Sequence, residues 1–141
     1  MKDLDEPLKS EVVELCHMAV EAQDEERYHA SNRDLGKVLE LLPEPKSDWK
    51  AYSWLLSNLA DNHFEQDEFA EALERFNEVF EFDSNSNDNA YLCLRRGQCA
   101  LESENEELAG MMLTRALELE GKELFEDEHS KFLKFAKQAS E

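Results

Sequence analysis

Glycine and proline are scarce in this chain, four and three among 141 residues, and no stretch alternates apolar and polar residues at a sustained period of two. That combination excludes a sheet-rich fold, which needs frequent turns and a period-two pattern. Cysteine is sparse too. Cys16, Cys93 and Cys99 form an odd set with no CxxC pair, which argues against both a disulfide framework and a zinc site. They sit among apolar neighbours and read as small core residues in a reducing compartment. No run approaches the roughly 18 to 20 apolar residues that cross a bilayer. The N-terminal MKDLDEPLKSE has neither the basic start nor the apolar stretch of a secretory signal. The expectation is a cytoplasmic protein with no membrane partner.

Basic residues are also in short supply, 15 against 34 acidic, for a net charge of -19. Such a surface repels phosphate backbones, which excludes direct nucleic-acid binding, and attracts basic partners at long range. The acids are interleaved with apolar residues throughout, so the charge belongs to a folded surface rather than to a tail. Catalytic signatures are missing as well: there is no GxGxxG, GxxxxGK[ST], HExxH or GxSxG. His17, His29, His63 and His129 are scattered. Cys16 and His17 are adjacent, but neighbours on a helix point about 100° apart, so they read as a buried thiol beside a partly exposed imidazole. The acidic groups Asp24-Glu25-Glu26, Glu104 with Glu106-Glu107, and Glu126-Asp127-Glu128 lack the DxDxDG pattern of calcium loops and read as solvated helix ends. No enzyme activity, cofactor or metal is expected. An enzyme with unrecognised acid chemistry would need two converging carboxylates, one with a strongly raised pKa.

What the chain has in abundance is alanine, leucine, glutamate and lysine, with apolar residues recurring at three and four, the signature of amphipathic helices. A chain of 141 residues is one domain's worth and can bury a core without disulfides. Breaks fall at Pro43 and Pro45, in the stretch Asp83 to Asn89, and at Gly121. Ser47 or Asp48 is placed to cap the helix after the prolines. The reading is all-α, with seven helices at about 8-24, 26-42, 48-65, 68-82, 88-103, 105-120 and 124-139. They pair as three helical hairpins, 8-42, 48-82 and 88-120, closed by a capping helix, all in a single domain.

The middle hairpin carries the clearest pattern. Leu56, Leu59 and Ala60 are followed by Phe69, Ala72, Phe76 and Val79, an order of small and large residues that resembles a tetratricopeptide repeat. The first hairpin supplies Leu15, Met18, Ala19 and Ala22 in front, with Tyr28, Ser31, Leu35 and Val38 behind. The third supplies Cys93, Gly97 and Ala100 in front, with Ala109, Leu113 and Ala116 behind. Equivalent positions stand 41 and then 37 residues apart rather than the usual 34 or so, so the joints carry insertions. Leu124, Phe125, Phe132, Leu133 and Phe135 cap the third hairpin, while Lys131, Lys134 and Lys137 form a solvated face. Trp49 and Tyr52 pack the inserted loop down.

The chain further resembles small bacterial tetratricopeptide-like proteins encoded beside polymorphic secreted toxins. The resemblance runs through Leu41 to Pro45, Trp49, Ala60 to Phe64, Leu94 to Gln98, Ala116 to Gly121, Phe125 and Lys131 to Leu133. It implies an immunity protein that binds and neutralises a cognate toxin, for which a basic nuclease fits the acidic surface. The alternative is a general adaptor or chaperone holding a peptide in its groove. On the repeat register, Trp54, Asp61, Phe64 and Glu65 face that groove, joined by Tyr91, Leu94, Gln98 and Glu102. Trp54, Phe64 and Tyr91 would supply buried area and the acids would select a basic partner. The competing reading places Trp54 and Phe64 in the core between hairpins.

Overall fold

Helix formers at spacings of three and four produce an all-α chain. The computed structural model describes residues 2–141. It carries α1 (Leu8–Asp24), α2 (Tyr28–Leu41), α3 (Lys50–Glu65), α4 (Phe69–Phe82), α5 (Ala90–Glu102), α6 (Glu106–Glu120) and α7 (Ser130–Ala139). Short 3-10 turns lie at Lys46–Asp48, Ser86–Asp88 and Lys122–Phe125. The chain divides into two compact units, one ending at Asp67 and the other running Glu68–Glu141. The division falls in the link between α3 and α4.

In the first unit, α1 and α2 form a hairpin whose core holds Ala19, Leu35, Val38 and Leu42, joined by Leu55 and Leu59 of α3. Removing each of these leucine and valine side chains from water contributes about 1.5–3 kcal/mol. Met18 departs from expectation: it is 47% exposed, because the packed stripe of α1 runs through Val12, Ala19 and Ala22 and Met18 lies beside it.

A buried polar knot joins the three helices. The Asn62 amide donates to Ser31 Oγ at 2.9 Å and to Asn32 Oδ1 at 2.8 Å, and its oxygen accepts from Gln23 Nε2 at 2.9 Å.

The proline-rich link is held at several points. Lys46 Nζ donates to the carbonyls of Leu39 and Leu42 at 2.6 and 2.9 Å, satisfying the C-terminal end of α2 with a cation. Trp49 Nε1 donates to Pro43 O at 2.7 Å, so Trp49 does pin the loop. Neither Ser47 nor Asp48 caps α3. Both lie within the 3-10 turn, and the Lys50 N–H is met instead by the Lys2 carbonyl at 3.0 Å. The N-terminal segment is thereby laid along the start of α3.

In the second unit, α5 and α6 form a hairpin with Cys93, Leu94, Met112, Leu113 and Ala116 in its core, covered by Phe125, Phe132 and Ala136. Gly97 is required by packing: a Cβ there would stand 2.7 Å from Leu113 Cγ. Arg96, at a position that is apolar in the repeat pattern, lies over the Phe80 ring at 4.3 Å and donates to Asn77 Oδ1 at 2.7 Å. Asn89 and Asn105 cap α5 and α6 by accepting from Leu92 and Leu108 N–H at 3.0 and 3.2 Å. The last helix starts at Ser130, later than the expected 124. Gly121 at φ 79° redirects the chain into the turn Lys122–Phe125, and His129, extended, caps α7 through Nδ1.

Candidate functional site

The first unit presents a cavity of about 300 Å³ on the faces of α1 and α3. Helical periodicity builds it. Val12 with Cys16 and Val13 with His17, each pair four apart on α1, face Ala51 and Trp54 of α3, and Leu4 of the N-terminal segment adds a wall. Trp54 is 38% and Val13 43% exposed, so apolar area stands open to a contact. The lining is mostly apolar, and its charged members are Lys2, Lys9, Lys50 and Asp3. Lys50 Nζ lies 3.4 Å from Asp3 and Lys2 Nζ 3.8 Å from Asp48, all well exposed, which makes these pairs weak and easily exchanged.

Burial pushes the Cys16 thiol above its ordinary pKa, so it stays protonated at neutral pH. It is half-buried beside an exposed His17, and the upward shift disfavours the thiolate that a nucleophile needs. Cys93 is more extreme, pushed up to about 11 chiefly by burial.

Further along α3, Asp61 and Phe64 are half-buried and Glu65 is exposed. Phe64 is ten residues from Trp54, about 15 Å along the helix axis, so Trp54 and Phe64 are not one patch. Glu65 acts on Tyr28, whose phenol titrates above its ordinary value, first through burial and then through the Glu65 and Glu26 carboxylates.

In the second unit, Tyr91 is 42% exposed at the start of α5. Arg95 stands 5.1 Å from its ring centroid and donates from Nε to its hydroxyl at 3.3 Å. Leu94 and Gln98, expected on the open face, are buried. The physical reason is the capping segment. Leu94 packs in the cluster with Phe125 and Phe132, while Glu128 Oε1 accepts from Arg95 Nη1 and Gln98 Nε2, both at 2.6 Å. Gln98 Oε1 accepts from Arg95 Nη1 at 2.7 Å, which ties up both ends of the amide. Burial works to lower the Arg95 pKa, but Tyr91 and Glu128 outweigh it and the net shift is upward. Glu128 is therefore a structural partner, not part of a solvated cap. Glu102 is half-buried and ion-paired with Lys131, which stays exposed as expected of the α7 face. Lys134 and Lys137 are exposed too, and border a cavity of about 470 Å³ with Lys122, Phe125 and Leu133.

Among the described residues no three His, Cys, Asp or Glu side chains are grouped to hold a metal ion, and no helix is long and apolar enough to cross a membrane. Periodicity expects Trp54 and Tyr91 at open positions, and both are exposed. It missed the α1 side of the cavity, for which the exposed Val13 beside the Val12–Cys16 stripe was the available signal, and the N-terminal wall, which left none.

No protein-family model matches the sequence, and a search of curated proteins finds no significant match. Solved structures do match. The N-terminal domain of stress-induced protein-1 from C. elegans aligns at a TM-score of 0.68 and 16% identity, covering 97% of this chain and 100% of that one. The Arabidopsis OM64 TPR domain aligns at 0.66 and 14%, covering 93% and 95%. The first TPR of Spaghetti (RPAP3), bound to HSP90 peptide SRMEEVD, aligns at 0.64 and 17%, covering 93% and 94%. Likeness of this extent at such low identity speaks to architecture: the chain has the helical-hairpin repeat fold of tetratricopeptide-repeat domains.

Proposed function

We propose that this chain is a non-enzymatic, single-domain protein-binding module of the cytoplasm, and that its partner is a toxin with a basic surface which it neutralises. The observation that carries the binding role is the open apolar cavity on α1 and α3, with Trp54 at its edge. Aromatic burial in such a pocket is what anchors protein interfaces. The toxin reading rests on the net charge of -19, which steers a basic partner, and on the sequence resemblance to immunity proteins. Within the first unit Trp54 and, further along α3, Phe64 supply contact area with Asp61 and Glu65 as the acids; within the second, Tyr91 does so, with Glu102, paired to Lys131, as the acid. Gln98, locked by Arg95 and Glu128, drops out of the contact set.

A peptide adaptor is the second reading. The cavity's size suits a single side chain, and the Spaghetti neighbour is described as bound to a peptide. The test is co-purification with the product of the neighbouring gene, followed by titration. Neutralisation requires a folded partner and salt-sensitive binding that weakens at least tenfold in the Trp54→Ala variant. Micromolar binding of extended peptides with no folded partner would establish the adaptor instead, and neither result would discard both.

A further inference from the structure

Two patches of opposite charge are built on the same helical spacing. On α1 of the first unit, Glu11, Glu14, Leu15 and Met18 stand at i, i+3, i+4 and i+7, and with Glu40 and Leu41 of α2 they line an open cavity of about 420 Å³. Three carboxylates rim it against one cation, Lys37, and Met18 at its edge is exposed. On α7 of the second unit, Ser130, Leu133, Lys134 and Lys137 repeat the spacing beside Lys122 and Phe125. Three cations border that cavity, and of its two acids, Glu126 and Glu128, the second is already held by Arg95 and Gln98. Among the described residues Lys122, Lys134 and Lys137 enter no ion pair, although the chain carries 34 acids. We infer that the lysine-rimmed face of α7 in one molecule receives the glutamate-rimmed face of α1 and α2 in a second copy of the same chain, with Leu15 and Met18 meeting Leu133. This self-association uses surfaces other than those of the binding role proposed above.

Charge selects this pairing over its alternatives. Two lysine faces, or two glutamate faces, would set like charges together, so neither patch pairs with its own kind. The contact is therefore heterologous, and each molecule in a pair keeps one face of each sign to offer a third. A net charge of -19 opposes any meeting of two copies. At physiological salt that repulsion is screened beyond about 8 Å, whereas the rim charges act at contact. Burial of Met18 and the leucines adds the apolar contribution, and the expected contact is weak and transient.

The test is sedimentation equilibrium of the full chain at physiological salt, from about 10 µM to about 1 mM, where weak contacts become populated. The average mass of the unmodified chain should rise above that of the monomer as concentration increases. Lys122→Glu/Lys134→Glu and Glu14→Lys/Glu40→Lys, each checked for an unchanged helical spectrum, should each weaken self-association at least tenfold. Mixed in equal amounts, the two variants should associate again, because the first then offers two acidic faces and the second two basic ones. Both variants stay strongly acidic overall, so bulk attraction does not produce that recovery. Self-association indifferent to either pair of substitutions, or a mixture that fails to recover, would overturn the inference. A chain monomeric to the highest concentration would overturn it too and leave the lysine face to an acidic segment of another protein. The binding role is tested separately, by the co-purification.

Discussion

Single residues decide how closely these helices approach. Gly97 faces Leu113 with no room for a methyl group, since even the Leu113 backbone nitrogen would stand 3.1 Å from an added Cβ. Gly97→Ala should therefore cost about 1–3 kcal/mol through overpacking, read as a lower midpoint in urea unfolding. Asn62 poses the opposite problem, a buried amide whose donors and acceptor are all used. Asn62→Ala should cost about 2 kcal/mol by stranding Ser31, Asn32 and Gln23, and Asn62→Asp more, because a carboxylate cannot donate to the two oxygens. A destabilisation below about 0.5 kcal/mol in either case would mean that surface substitutions set the scale there. Gly97 was legible from the repeat pattern, which asks for a small residue at that place. Asn62 was not, because one polar residue in an apolar stripe gives no sign of whether its partners exist until three helices are assembled.

At the scale of elements, the turns repeat as clearly as the helices. Glu26, Asp67 and Glu104 each adopt a positive φ of 60 to 64°, and they stand 41 and then 37 residues apart, the same spacing as the apolar repeat positions. Both hairpins within a unit close alike: Arg27 N–H reaches Ala22 O and Asn105 N–H reaches Ala100 O, each at 2.8 Å. A non-glycine residue in this left-handed region is held there at a cost of about 1 kcal/mol. Glu26→Gly and Glu104→Gly should each raise stability by about 0.5–1 kcal/mol, measured by the unfolding midpoint, and a loss would show that the carboxylates serve an unrecognised contact. Helix number and most boundaries followed from periodicity and punctuation. The start of α7 did not, because Leu124 and Phe125 continue the apolar spacing through a 3-10 turn that only Gly121 and the His129 cap delimit. The burial of Leu94 and Gln98 was hidden for the same reason, since it depends on Phe125 of that turn, on Phe132, and on Glu128 just beyond the turn.

For the whole molecule, the proposed binding role divides recognition between charge and apolar contact. A net charge of -19 acts over about 8–10 Å at ordinary ionic strength, so under the proposal it sets which partners approach and how fast. The cavity beside Trp54, and the exposed Tyr91 in the second unit, would act only at contact and under the proposal set how long a partner stays. The sequence showed the charge and the aromatics. It could not show that lysines gather where the apolar surface opens, because Lys2, Lys9 and Lys50 come together only through the fold of the N-terminal segment against α1 and α3. The measurement that bears most directly on a protein-binding role is the dissociation constant for the neighbouring gene's product between 50 and 300 mM salt, roughly a twofold change in Debye length. It should be made with the unmodified chain, Trp54→Ala and Asp61→Lys/Glu65→Lys, each verified as folded. Affinity that falls with salt and falls at least tenfold in both variants is the predicted result; no complex, or one indifferent to salt and to both variants, would contradict it.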